Sequence, residues 1–210
     1  MNKNDMRLSD TPETWDLVVI GGGITGAGIL REAARMGLKA ILVEQNDFAW
    51  GTSSRSSKMV HGGLRYIGEG RLLLTKKSVE EREILLREAP GLVDPLGFIL
   101  PVYAGQKPGK KSLKIGLSLY DALAGKRQHA FHTSEEIVEE LPFIKQEGLS
   151  GGYRFFDAQV DDARLVLRLI DESMACGAAA LNYTSALDIV RNSKGKVIGV
   201  AVQDTETGEN

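Results

Sequence analysis

The sequence predicts an α/β fold built on a parallel sheet, and three observations predict it. A short strand-like stretch at 16–20, apolar from Leu17 onward, passes straight into clustered glycines and then into a stretch with helical spacing. A second apolar run at 39–44 closes a β-α-β unit of about 30 residues. A third, 178–183, follows another helical stretch that opens on Asp161 and Asp162.

The elements follow in order. The strand at 16–20 is continuously apolar from Leu17 to Ile20, as fits a strand buried on both faces in a parallel sheet. From Thr25 to Met36 the period becomes helical: Ala27, Leu30, Ala33 and Ala34 share a face, and Gly37 supplies the stop. "KAILVE" (39–44) is the next strand. From Asn46 to Gly70 the pattern breaks into Gly, Ser and charged residues, too long for a simple connector. Residues 71–89 return to helix, with Leu72, Val79 and Leu86 inward and Lys76, Lys77, Glu80, Glu81 and Arg82 outward, and Pro90 ends it. "GFILPVYAG" (97–105) reads as a strand. Residues 107–127 read as a basic turn and an amphipathic helix striped by Leu113, Leu117, Tyr120, Leu123 and Ala124. His129 and His132 fall in a polar link where they are expected to be solvated. Residues 151–160 form another strand, and a helix runs from the two aspartates, suited to a positive dipole end, to Gly177. "ALDIVRN" and "KVIGVAVQD" around "NSKGK" give a hairpin, the start of a β-meander.

Composition narrows the function classes. A net charge of −2 is not that of a nucleic-acid-binding protein. The lone cysteine, Cys176, forms no internal disulfide, and buried packing at a helix end is its expected role. No HxxH, CxxC or paired acidic cluster argues for a metal. The polar N-terminus lacks a signal-peptide core, and no segment is long and apolar enough to span a bilayer, so a cytoplasmic protein is expected, attached to a membrane surface at most. The final strand runs into a turn at residue 210, which suggests the N-terminal piece of a longer chain.

The glycines at 21, 23 and 26 make G-x-G-x-x-G where a strand turns into a helix. Gly21 permits the tight turn, Gly23 lets a diphosphate approach the backbone, and Gly26 lets the helix pack on the strand. Exposed N–H groups and the helix dipole then hold the phosphates. Glu44, at the end of the second strand, is placed to accept hydrogen bonds from an adenosine ribose. A Rossmann-like dinucleotide-binding unit follows, and it does not distinguish NAD from FAD. The loop after Glu44 favours FAD: Thr52, Ser53, Ser54, Ser56 and Ser57 offer hydroxyls for phosphate and ribityl oxygens, and Gly62 and Gly63 let backbone approach a flat ring. A solvated serine-rich loop would look similar.

Read as one string from Asp16, with "GTSSRSSK" and "HGGLRY" as its most specific parts, the sequence resembles FAD-dependent glycerol-3-phosphate dehydrogenase. The likeness continues through "EEREILLREAP", "IGLSLYDALAG" and "VDDARLVL". It implies oxidation of sn-glycerol 3-phosphate to dihydroxyacetone phosphate, with hydride passing from C2 to flavin N5 and electrons passing to a membrane quinone. It implies an FAD-binding domain at 16–95 and 156–210 behind a tail at 1–15, interrupted at 96–155 by the start of an inserted substrate domain. By the same likeness, Gly21, Gly22, Gly23, Ile24, Thr25, Gly26, Glu44, Gln45, Thr52, Ser53 and Ser54 contact FAD. Ser57, His61, Gly62 and Gly63 join them from the loop reading. Arg65 and Tyr66 match positions near the substrate phosphate, and a guanidinium fork suits that anion. His61 is the candidate catalytic base within the chain, since imidazole titrates near neutrality.

The 107–127 region carries Lys107, Lys110, Lys111 and Lys114 beside its apolar stripe, a pattern that can lie on an anionic membrane surface at the inner face of the cell membrane. An ordinary core-facing helix has the same pattern. A homodimer is compatible with the sequence, which does not set the oligomeric state. Competing readings are an oxidase that uses oxygen, another FAD-dependent enzyme acting on an amine or 2-hydroxy acid, and a non-catalytic nucleotide-binding module.

Overall fold

The computed structural model describes residues 14–209, so the expected tail at 1–15 lies outside them up to residue 13. In chain order the elements are β1 (Leu17–Ile20), α1 (Ile24–Arg35), β2 (Ala40–Val43), β3 (Met59–Val60), α2 (Leu64–Gly68), α3 (Leu72–Glu88), β4 (Val93–Tyr103), α4 (Lys110–Ala124), β5 (Ala130–His132), α5 (Ser134–Glu140), β6 (Leu149–Val160), α6 (Asp162–Ala175), β7 (Ala179–Leu181), β8 (Thr184–Arg191) and β9 (Val197–Asp204). They form two compact units: one reaches to Ser57 and resumes at Asp161, and the other is Lys58–Val160. The segment 96–155 falls within the second.

The first unit is the α/β fold. Its sheet has the order β1-β2-β7, all parallel. Alternation along β2 sorts two cores. Ala40 and Leu42 pack with Val19, Leu30, Ala33, Val166 and Ile170 beneath α1 and α6. Ile41 and Val43 face the other way, onto Trp15, Ala186 and Val202, so the β8–β9 hairpin covers that side. Complete burial of Leu30 and Leu42 contributes about 1.5–3 kcal/mol each. The helix α1 follows from its sequence: Ala27, Leu30, Ala33 and Ala34 are all buried on one side. It ends at Gly37, whose φ of +79° suits glycine and whose N–H bonds Ala34. The aspartates predicted to open a helix do so, with the Asp161 carboxylate capping the Arg164 N–H. The strand β1 departs from expectation. Read as buried on both faces, it is only partly buried, and Ile20 is 56% exposed, although β7, at the opposite edge of the same sheet, is buried throughout.

The second unit is antiparallel. The long strand β6 pairs with β4 along one edge and with β3 and β5 along the other. Pro95 and Pro101 sit in β4, whose outer edge needs no ladder hydrogen bonds. Val102, Leu117 and Tyr153 make its core, with Leu64, Leu113, Phe131 and Phe155 around them. Leu117 and Tyr120 are buried on α4 as the predicted stripe required, and Gly125 closes the helix in the left-handed conformation.

Four local expectations are corrected. Arg82, assigned to the outer face of the 71–89 helix, is buried: the inward face of α3 is Thr75, Val79 and Arg82, a 3.6-residue period rather than the seven-residue one, and Leu72 is exposed. Cys176, expected in packing, is exposed at the C-terminal cap of α6. His129 is not solvated: its ring is largely covered and its Nδ1 lies 2.6 Å from Asp121 Oδ2. His132 is in β5, half-buried, rather than in a link.

Candidate functional site

The predicted site residues divide between the units. Gly21–Gly26, Glu44, Gln45, Thr52–Ser54 and Ser57 are in the first, and His61–Gly63, Arg65 and Tyr66 are in the second.

In the first unit the turn after β1 is held by its backbone. Gly21 has φ +108°, a region closed to side-chain-bearing residues, and its N–H bonds Val43 O at 2.8 Å. A Cβ on Gly26 would lie 1.9 Å from Gly21 O, so only glycine lets α1 start this close to the turn. A Cβ on Gly22 would meet the Glu44 side chain at 2.9 Å. Glu44 braces the turn from β2: Oε2 accepts from the Gly22 N–H at 2.7 Å and Oε1 from the Asn46 N–H at 2.9 Å. Ser53, buried in the 3-10 turn Thr52–Ser54, accepts from the first N–H of α1, Ile24, at 2.9 Å. Among the described residues the Thr25 and Gly26 N–H groups, next in line at this helix end, have no partner.

The diphosphate of an ADP group fits these features. The helix N-terminus carries no acidic residue in its first turn, and the open N–H groups add to the dipole's positive end. Gly23 leaves the backbone open, since a Cβ there would press on Ser53 Oγ at 3.2 Å. Thr52, Ser54, Ser57 and Gln45 are exposed at this end of the unit. Of the loop hydroxyls, Ser53 is engaged with α1 and Ser56 donates to Asp162 at 2.6 Å.

In the second unit, His61 is exposed, Gly62 and Gly63 are buried, and Arg65 and Tyr66 lie on the single helical turn α2. The Arg65 guanidinium stands 5.1 Å from the Tyr66 ring centre. The glycine pair has a local cause within this unit. A Cβ on Gly62 would lie 2.3 Å from Tyr120 Oη and Val79 Cγ2, and one on Gly63 would lie 2.2 Å from the Tyr66 ring. The space is filled from inside the unit.

Sequence reasoning missed the cluster behind that pair. Arg82 Nη1 donates to Asp157 Oδ1, Tyr120 Oη and Phe156 O, and Glu83 takes Nη2. Burial opposes the Arg82 charge, but the Tyr120, Asp157 and Glu83 oxygens outweigh it and raise its pKa further. Burial, with Asp157 beside it, pushes the Tyr120 hydroxyl far up, so it stays protonated and can donate. The available signal was an arginine at helical spacing from Thr75 and Val79. Among the described residues no cluster of three or more His, Cys, Asp or Glu is arranged for a metal, and no helix is long and apolar enough to cross a membrane.

Comparison with known proteins adds a family. Residues 16–210 match the family model described as FAD dependent oxidoreductase. The aerobic glycerol-3-phosphate dehydrogenase of Staphylococcus haemolyticus (strain JCSC1435) is 39% identical over 212 residues, spanning all of this chain and 38% of that protein. The structure of glycerol-3-phosphate dehydrogenase from Bacillus halodurans complexed with FAD superimposes with a TM-score of 0.71 at 34% identity, over 94% of this chain and 32% of that one. The FAD-bound L-alpha-glycerophosphate oxidase of Mycoplasma pneumoniae shares the fold, with a TM-score of 0.63 at 16% identity, over 88% of this chain and 48% of that one. The chain thus spans about a third to a half of the length of these three proteins. With a strand, glycine turn, helix and braced acid that suit an ADP group, and a family match from residue 16 onward, the chain belongs to the FAD-dependent oxidoreductases.

Proposed function

We propose that this chain serves the flavin-dependent oxidation of sn-glycerol 3-phosphate to dihydroxyacetone phosphate, with electrons passed to a membrane quinone. The observation that carries the reading is the Gly21–Gly26 turn, braced by Glu44 and Ser53 with two helix N–H groups open, in a chain 39% identical to an aerobic glycerol-3-phosphate dehydrogenase. In this reading the turn grips the diphosphate, Glu44 and Gln45 serve the adenosine ribose, and the hydroxyls of Thr52, Ser53, Ser54 and Ser57 serve phosphate and ribityl oxygens. Bound FAD supplies the hydride acceptor. Arg65 and Tyr66 hold the substrate phosphate, for which an exposed guanidinium and a phenol are suited. His61, exposed beside them in sequence, takes the hydroxyl proton. Residues 96–155 are the start of a substrate domain inserted in the FAD-binding domain.

The test is dye reduction by the full-length gene product with and without glycerol 3-phosphate. Substrate-dependent reduction supports the reading. A flavin-containing protein that ignores glycerol 3-phosphate belongs to another activity of the family, and a colourless one is a nucleotide-binding module. Oxygen consumption at the same rate as dye reduction would replace the quinone by oxygen.

The same proposal includes peripheral attachment through α4. Lys107, Lys110, Lys111 and Lys114 are exposed, and Ile115 among them is 71% exposed. Replacement of all four lysines by Ser should abolish co-sedimentation with anionic vesicles. Unchanged pelleting would refute it.

A further inference from the structure

The second unit presents His61, Arg65 and Tyr66 on a loop and a single helical turn. Besides the β3–β6 ladder just before it, that loop is bonded by a buried charged cluster drawn from three other elements. Arg82 comes from α3, Tyr120 from α4 and Asp157 from β6, and all three are nearly inaccessible. Three donors converge on one oxygen, Asp157 Oδ1: Arg82 Nη1 at 2.5 Å, Tyr120 Oη at 2.5 Å and the Gly62 N–H at 3.2 Å. The Gly62 N–H also donates to Tyr120 Oη at 2.8 Å.

As a stability device this cluster is poor. A buried ion pair is commonly matched or bettered by packed apolar residues of the same volume. Here it is also incompletely satisfied, since Arg82 Nε is buried without a partner. Its geometric effect is specific instead. Outside its own members, the loop atom it holds is the Gly62 N–H. From there the contacts run on without a gap. Gly63 follows in the left-handed conformation at φ +74°, with the Tyr66 ring packed where its side chain would be. The Tyr66 N–H bonds Gly63 O at 2.9 Å, and the Arg65 guanidinium stands over the Tyr66 ring.

We infer that Asp157, with Arg82 and Tyr120, is a positioning residue: by holding the Gly62 N–H it sets the direction in which the Gly63–Tyr66 turn presents Arg65 and Tyr66 to the substrate's phosphate. This rests on the reading of Arg65 and Tyr66 given above. Displacement of a binding group by about 1 Å is enough to cost a large factor in substrate use.

The experiment uses the full-length holoenzyme with Tyr120→Phe and Asp157→Asn. Tyr120→Phe removes one hydroxyl and leaves the Arg82–Asp157 pair, so it keeps the test open if Asp157→Asn does not fold. Val166→Ala, a core cavity in the first unit, is the control for general destabilisation. Two readouts are taken: amide hydrogen exchange in the 58–70 peptide, and KM and kcat for glycerol 3-phosphate. The expected result is faster exchange in 58–70, with KM raised about tenfold and kcat within about twofold, in Tyr120→Phe but not in Val166→Ala. Unchanged exchange in 58–70 overturns the inference, as does faster exchange with KM unmoved. If the wild-type enzyme does not oxidise glycerol 3-phosphate while exchange responds as expected, the substrate reading falls and the anchoring of the loop stands.

Discussion

Gly26 and Gly28 lie two residues apart on α1, and the structure assigns opposite signs to their replacement by alanine. A Cβ on Gly26 would sit 1.9 Å from Gly21 O, roughly 1.5 Å short of a comfortable carbon contact. The obstacle is backbone, and Gly21 is itself pinned by its bond to Val43 O, so no side chain can swing away. The helix start would have to lift off the sheet and draw Ala27 and Leu30 out of a core in which both are fully buried. Overpacking of this kind costs about 1–3 kcal/mol, and the upper part applies because the clash is rigid. The helix propensity of alanine returns only about 0.5–1 kcal/mol, leaving Gly26→Ala destabilised by about 2 kcal/mol. A Cβ on Gly28 meets nothing within 4 Å, so Gly28→Ala keeps the propensity gain of about 0.5–1 kcal/mol. In thermal unfolding at fixed flavin concentration, Gly26→Ala should lower Tm by about 4–8 °C and Gly28→Ala should raise it by about 1–4 °C. The Gly26 variant should also lose flavin absorbance on gel filtration, because the open N–H groups move with the helix. A Gly26→Ala protein as stable and as yellow as Gly28→Ala would refute the argument.

Three further outcomes can be checked. Glu44→Ala strips partners from the Gly22 and Asn46 N–H groups and should cost about 1–3 kcal/mol in chemical denaturation, while Glu44→Gln, which retains one acceptor, should cost less. Ser53→Ala leaves the Ile24 N–H unpaired and should cost about 1 kcal/mol, with a matching rise in the FAD dissociation constant in a fluorescence titration. Burial raises the Glu83 pKa, but hydrogen bonds from Lys126 and Arg82 outweigh it and hold the carboxyl below its usual 4.5. A depressed folded pKa gives stability that is present above the unfolded value and lost as pH falls through the folded one. Urea midpoints of wild type and Glu83→Gln should therefore differ at pH 7 and converge below pH 4; a constant gap would remove Glu83 from the account.

Much of the first unit was legible along the chain because its determinants are local. Glycine spacing at 21, 23 and 26 encodes a turn, the Ala27–Ala34 stripe encodes a helix face, and "NSKGK" encodes a hairpin, each within a dozen residues. The partial burial of β1 was not legible, because it depends on which residues, distant along the chain, pack over each face of the strand. In the second unit β3, α2, β5 and α5 escaped notice. The first three are too short to show a period, although Thr133 and Glu136 form a capping box that announces α5.

Unaided by coordinates, the sequence determined the α/β class, the glycine turn with its following acid, and the serine-rich segment, since each is a statement about neighbours along the chain. Only the tertiary structure decided that Glu44 and Ser53 brace the turn, that Arg82 points inward, and that Gly62 is held by Tyr120 and Asp157. Those contacts join residues 22 to 95 positions apart. No local pattern encodes such pairings, because they exist only once burial has made an unpaired polar group too costly to leave.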